Sequence, residues 1–260
     1  MRLGRGRGGG ALAGVALFTV LPVPAPGVEA MKGALRWCPL SGALVAGCVT
    51  GVAAVATWLY PGGLAALLPA AVAVGTAAAV TRGLHLDGLA DTADGLGPLA
   101  GRQRALAVMR QPDIGPFGVA TLVLVLLLQA AALARAFQVD RGLAAAAESV
   151  LVGRLAMMRA GMRGIPAARP DGMGATVAGT VPGGLVGGFA AVLAVGAAAP
   201  TFLGRPALAW HLLVALPVGM AAAELLLRRA VRTLGGVTGD VFGAVCEAAA
   251  TATLLAIAAA

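Results

Sequence analysis

Long apolar runs alternate with short polar breaks along this chain. A membrane-spanning helix needs about 20 predominantly apolar residues. On that scale the sequence predicts spans at about 40–60, 63–81, 116–137, 142–158, 176–203, 207–227 and 241–260. The stretch 11–24 is apolar but short and is closed by Pro22, Pro24 and Pro26. Proline lacks the backbone donor a helix needs, so this piece is expected to lie in the interface or re-enter. With Arg2, Arg5 and Arg7 before it, the segment also has the outline of a signal peptide, although more membrane follows. The pattern as a whole predicts an all-α, polytopic integral membrane bundle of about seven spans, folded as a single domain over 1–260.

Composition agrees with that reading. Of the 260 residues, 59% are hydrophobic and 12% charged, and the mean hydropathy is +0.91. A soluble domain carries about 25% charged residues. The apolar surplus is Ala, Leu, Val and Gly, with 4% aromatic, which suits close helix packing in lipid. Cys38, Cys48 and Cys246 have neither metal-site spacing nor a disulfide framework and are expected to be small buried residues.

The net charge of +8 is a membrane signal here, because the cations fall in the breaks. With the N-terminus inside, one side holds Arg2, Arg5, Arg7, Lys32, Arg36, Arg82, Arg102, Arg104, Arg110, Arg159, Arg163, Arg169, Arg228, Arg229 and Arg232. The other holds Arg135, Arg141 and Arg205, and Arg154 falls within a span. The positive-inside rule makes the first side cytoplasmic, in the cell (inner) membrane. No basic stretch is interleaved with aromatics, so nucleic acid is not an expected partner.

Candidate chemistry lies where the acids gather. The cytoplasmic segment 82–115 contains His85, Asp87, Asp91 and Asp94. On a helix, offsets of +4 and +7 place the three carboxylates within about 60° of one another. Like charges at that spacing repel. A divalent cation relieves the conflict, and an all-oxygen donor set points to Mg²⁺ or Mn²⁺. The plain alternative is a solvated acidic face. Gly88, Gly95 and Gly97 argue against an ordinary helix and mark a break or a close backbone approach. His85 falls about 200° from Asp87, off the carboxylate face.

A second polar site is Gly235-Gly-Val-Thr-Gly-Asp240, opening the last span, with Glu247 two turns further on. Thr238 and Gly239 at a helix start are a natural contact for phosphate. Asp240 and Glu247 share a face on which they could line a cavity, and an acid inside a span suggests function. Arg110, in the loop before the third long run, has Asp113 as a loop partner, and Arg154 either clamps an anion or snorkels. Clustered acids for a metal, a glycine-rich cap and arginines together fit phosphoryl chemistry at a membrane surface.

Phe18-Thr-Val-Leu-Pro-Val-Pro24, His85-Leu-Asp-Gly-Leu-Ala-Asp-Thr-Ala-Asp-Gly95, Met109-Arg110 with Gly115 and Gly118, Gly153-Arg154, and Gly235 to Asp240 with Gly243-Ala244 and Glu247 occur in one order along nearly the whole chain. In this the sequence resembles the cobalamin synthase family, the adenosylcobinamide-GDP ribazoletransferases. It departs from the family at Gly153, where Ser is usual, and at Pro116-Phe117. The resemblance implies a membrane-embedded, Mg²⁺-dependent transferase. α-Ribazole, or its 5′-phosphate, attacks the pyrophosphate of adenosylcobinamide-GDP and releases GMP, giving adenosylcobalamin or its 5′-phosphate. It also implies that Asp87, Asp91 and Asp94 hold metal and that Asp240 completes the site or positions the attacking hydroxyl. Arg110 and Arg154 then bind phosphate, with His85 assisting. Thr238, Gly239 and Glu247, from the reading of the residues themselves, are expected on the substrate side. A homo-oligomer is one candidate assembly. The rival readings are a CDP-alcohol-phosphotransferase-like enzyme, whose arginine-containing signature fails at Ala93, and a cation-coupled transporter with acids at the bilayer midplane.

Overall fold

The computed structural model describes residues 8–24, 26–61, 66–97 and 101–259. Arg2, Arg5 and Arg7 of the charge pattern, and the start of the 63–81 span, lie outside the described residues. The helices are α1 (Gly8–Phe18), α2 (Val28–Met31), α3 (Cys38–Leu59), α4 (Leu67–Val80), α5 (Leu84–Leu96), α6 (Arg102–Val108) and α7 (Pro116–Gln138). After them come α8 (Gly142–Ala160), α9 (Gly172–Val177), α10 (Gly183–Ala198), α11 (Pro206–Leu234) and α12 (Gly239–Ala258). Short 3₁₀ turns precede α3 and follow α10. Among the described residues there are no named strands, only isolated bridges at Met162–Val181 and Ala167–Val237.

Five segments are long and apolar enough to cross a membrane: Ala34–Leu59, Pro116–Gln138, Gly183–Leu203, Pro206–Leu234 and Gly239–Ala258. A sixth is counted if α4 and α5, bent by 88°, form one broken span. The expected seventh, 142–158, exists as the helix α8 but does not pass on composition, because Glu148, Arg154 and Arg159 interrupt it. It is instead shielded by protein: α12, α3, α11 and α10 pack around α8, and most of its residues are buried. The stretch 11–24 does not span either. α1 reaches only about 16 Å at 1.5 Å per residue, and Val20 N–H then bonds to the Val80 carbonyl at 2.7 Å.

The outer surface is apolar. Val52, Val55, Leu124, Leu127, Val192, Val195 and Leu225 all face outward, as lipid-exposed helices require. Cys48 is on this outer surface, contrary to the buried position expected for all three cysteines, whereas Cys38 and Cys246 are interior. Inside, Ala53, Ala70, Ala73, Ala136, Ala145 and Ala146 let the helices approach closely. Arg205 pairs with Asp140 at 2.6 Å, and Arg141 bonds the carbonyls of Ile257 and Ala259 at 3.0 Å. These contacts gather sparse charge at one end of the bundle. The opposite end carries the break between α4 and α5, the starts of α7 and α12, and the ends of α8 and α11.

That break aims the acidic segment. Arg82 and Gly83 both take positive φ, 56° and 67°, which ends α4 and turns the chain into α5. Arg82 holds this uncommon conformation by donating to the carbonyls of Ala16 and Leu17 at 3.1 and 3.2 Å.

Candidate active site

α5 is a regular helix through Gly88 and Gly95, so of the two readings of its glycines the structure selects close approach over a break. A Cβ on Gly88 would stand 2.6 Å from the Asp240 carbonyl oxygen and 2.9 Å from its Cα. One on Gly243 would stand 2.8 Å from the His85 carbonyl oxygen. Two backbones in contact leave no room for a side chain on either helix. This crossing sets the acidic face of α5 beside the first turn of α12. Gly88→Ala should therefore push α5 off α12, with a strain cost of about 1–3 kcal/mol and a turnover loss approaching 10²-fold, as misplacement by about 1 Å can produce. Thermal unfolding and turnover of the variant in nanodiscs check both.

A cavity of about 160 Å³ opens at this crossing. Asp87 and His85 line it from α5, and Thr238, Gly239 and Asp240 from the start of α12. The segment from Arg169 to Gly174 closes another side, and Phe18 and Leu35 give it an apolar floor. Thr238 is the N-cap of α12: its hydroxyl accepts from Val241 N–H at 3.3 Å and donates to Asp240 Oδ2 at 3.1 Å. The Arg169 segment is pinned by Ala168 N–H to the Val237 carbonyl and Val237 N–H to the Pro166 carbonyl, both 2.9 Å. Gly174 permits it: a Cβ there would be 2.8 Å from Thr238 Cα. Asp91, one turn beyond Asp87, does not line the cavity but is within electrostatic reach of Asp87, Asp94 and Asp240 and of the Arg169 guanidinium.

Asp94, expected from its spacing to hold metal, is engaged in the structure at the start of α7. Its carboxylate accepts Gly115 N–H at 2.7 Å and Gly118 N–H at 2.9 Å, closing the N-terminus of α7. A helix start leaves its first N–H groups without intrahelical partners and carries partial positive charge. Asp94, 6% exposed, satisfies both needs. Gly115 and Gly118 are glycines because any Cβ would strike that carboxylate.

Arg154 and Glu247 do not reach the Asp240 cavity. They line a second, smaller one of about 60 Å³ between α3, α4, α7, α8 and α12. Asp240 and Glu247 thus share a helix face but open onto different spaces. Arg154 is 2% exposed, so it does not snorkel, and its Nη1 donates to Cys246 Sγ at 2.9 Å. Glu247 accepts from Gln129 Nε2 at 2.8 Å. A Cβ on Gly153 would stand 2.8 Å from Cys246 Sγ, so this contact favours glycine. His85 borders both cavities, stacked on Phe18 with ring centroids 6.3 Å apart. Arg110 is outside, and its Nη2 is 2.8 Å from Asp171 Oδ1 in an exposed ion pair at the rim.

Two donor sets could be considered for a cation. The ligand atoms of His85, Cys246 and Glu247 lie within 4.8 Å of one another, but Arg154 already places a fixed positive charge on the sulfur. Asp87, Asp91 and Asp240 offer only oxygen and are not drawn that close, and Asp87 and Asp240 line the larger cavity. Among the described residues Asp87 and Asp91 make no side-chain hydrogen bond or ion pair. Mg²⁺ is ordinarily held by one or two carboxylates together with waters and substrate phosphates, so unpaired, spaced carboxylates fit it. Arg169, Asp171 and Gln129 were not singled out by sequence reasoning, and no local pattern marks them. Arg169 and Asp171 arrive through the Ala167–Val237 bridge, and Gln129 through helix packing.

Residues 10–258 match the family described as Cobalamin-5-phosphate synthase. The chain is 42% identical to an adenosylcobinamide-GDP ribazoletransferase of Frankia casuarinae, over 93% of this chain and 91% of that one. It is 41% identical to one of a Nocardioides species, over 94% and 96%, and 34% identical to one of Chlorobium phaeovibrioides, over 92% of each. No solved structure matches it.

Proposed function

The chain belongs to the Cobalamin-5-phosphate synthase family, and from that premise we propose that it joins adenosylcobinamide-GDP to α-ribazole, or to its 5′-phosphate. The products are adenosylcobalamin, or its 5′-phosphate, and GMP. It is a multi-pass membrane enzyme of the final cobalamin assembly step. The observation that carries the chemical reading is that the unpaired Asp87 lines one cavity with Asp240 at the α5–α12 crossing.

In the reaction a ribose hydroxyl oxygen forms a bond to the phosphorus that bears the cobinamide group. The P–O–P bridge breaks, and GMP leaves with the bridging oxygen. Asp240 is the proposed acceptor of the hydroxyl proton. Its Oδ2 is engaged by Thr238, which leaves Oδ1 for the incoming hydroxyl. Asp87 and Asp91 are the residues proposed to hold Mg²⁺, which when bound neutralises charge on the phosphoryl oxygens. Asp94 positions them by fixing α5 to α7. The Gly239 turn offers the positive end of a 20-residue helix to phosphate. Arg110 is proposed to meet substrate at the rim by exchanging Asp171 for phosphate. His85, Arg154 and Glu247 are proposed to support the site from behind. The clustered basic ends support an orientation in the inner membrane with the cavity toward the cytoplasm.

Protein in nanodiscs, given both substrates, should release GMP with Mg²⁺ and lose turnover with excess EDTA, recovering when Mg²⁺ is restored. Absent GMP release, or release indifferent to EDTA, would overturn the transferase or the metal assignment respectively. A CDP-alcohol pair should give no product.

A further inference from the structure

We infer that Arg169 is the anion-binding residue for the diphosphate of the nucleotide-linked substrate, an inference that rests on the transferase reading above. Among the described residues it is the one Lys or Arg that lines the Asp87–Asp240 cavity. Of the two arginines that sequence favours for phosphate, Arg154 is engaged on Cys246 in the second cavity and Arg110 stands at the exposed rim, outside the lining.

Arg169 is held from several directions. Its Nη2 donates to the Leu106 carbonyl at 2.6 Å. Its neighbour Ala168 is bonded through N–H to Val237 and through its carbonyl to Arg102 Nη2 at 3.0 Å. Such anchoring prepays the ordering that a long cation otherwise loses on binding.

The guanidinium also has unused capacity. Nη2 is taken by Leu106, and among the described residues Nη1 makes no hydrogen bond and is not among the buried unpartnered atoms, which leaves it for a ligand. The guanidinium stands within electrostatic reach of Asp91 and Asp240, yet among the described residues it closes no ion pair with either. A cation beside carboxylates that does not pair with them is placed for a ligand carrying charge of its own. A diphosphate suits this arrangement. Its oxygens can face the Asp87 side through Mg²⁺ and the planar fork of Arg169 on the other.

The test uses full-length protein in nanodiscs with Mg²⁺, as wild type, R169A and R169K. Steady-state KM is measured for each substrate, and GDP alone is titrated calorimetrically without turnover. R169A should raise the KM for adenosylcobinamide-GDP about 10–100-fold, the loss of a charge-assisted hydrogen bond. It should weaken GDP binding in parallel and leave the KM for α-ribazole within about twofold. R169K, which keeps the charge and a donor for Leu106, should recover part of the loss. A fall in kcat with neither KM changed, or an equal rise in both, would make Arg169 a positioning residue and overturn the inference. If R169A does not reach the membrane folded, R169K decides: a raised KM for the diphosphate substrate supports the role, and an unchanged one overturns it. If wild type releases no GMP, the transferase reading fails, while the GDP titration still reports on Arg169.

Discussion

Asp91→Asn should lower turnover about 10²–10³-fold, the range for removing one group that stabilises charge in a transition state, without lowering stability. Asp91 is one helical turn from Asp87 and within reach of Asp94 and Asp240. A neutral amide at this position relieves like-charge repulsion, which at i,i+4 spacing is a few tenths of a kcal/mol. The thermal midpoint in nanodiscs should therefore stay level or rise while GMP release collapses. Raising Mg²⁺ should restore part of the rate if the lost group holds the ion. Full turnover in the variant at limiting Mg²⁺ would remove Asp91 from the metal site.

Asp94→Ala should also abolish most turnover, but for a different reason and with the opposite stability signature. It leaves the N–H groups of Gly115 and Gly118 without their acceptor in a buried site. An unsatisfied buried donor costs about 1–3 kcal/mol, so two cost about 2–6 kcal/mol. The start of α7 then separates from α5, and the acidic face loses its support. The thermal midpoint should drop clearly, and added Mg²⁺ should not rescue the rate. Asp94→Asn, whose amide oxygen still accepts one bond, should fall between. If Asp94→Ala unfolds like wild type and responds to Mg²⁺, the carboxylate serves the metal and its contact with α7 is incidental.

These contrasting expectations for two aspartates three residues apart show where a one-dimensional reading stops. A period of about 100° per residue puts Asp87, Asp91 and Asp94 on one side of α5 whatever surrounds it. It does not say that Gly115 and Gly118, more than twenty positions away, present two N–H groups to the last of them. The same holds on α12. The offset of seven aligns Asp240 with Glu247, but α5 crosses at Gly88 and separates the spaces they face.

The positions of most apolar helices and the presence of an acidic motif beside a capped glycine turn were legible in residue order. Each depends on local quantities: hydrophobic length against bilayer thickness, and helical period. Packing alone assigned partners. Arg154 found Cys246 across 92 positions, and Arg169 entered the cavity through an isolated backbone bridge at Val237. A helix specifies the angle of a side chain about its own axis, whereas what meets that side chain depends on how neighbouring helices cross, and here glycines far apart in the chain set those crossings.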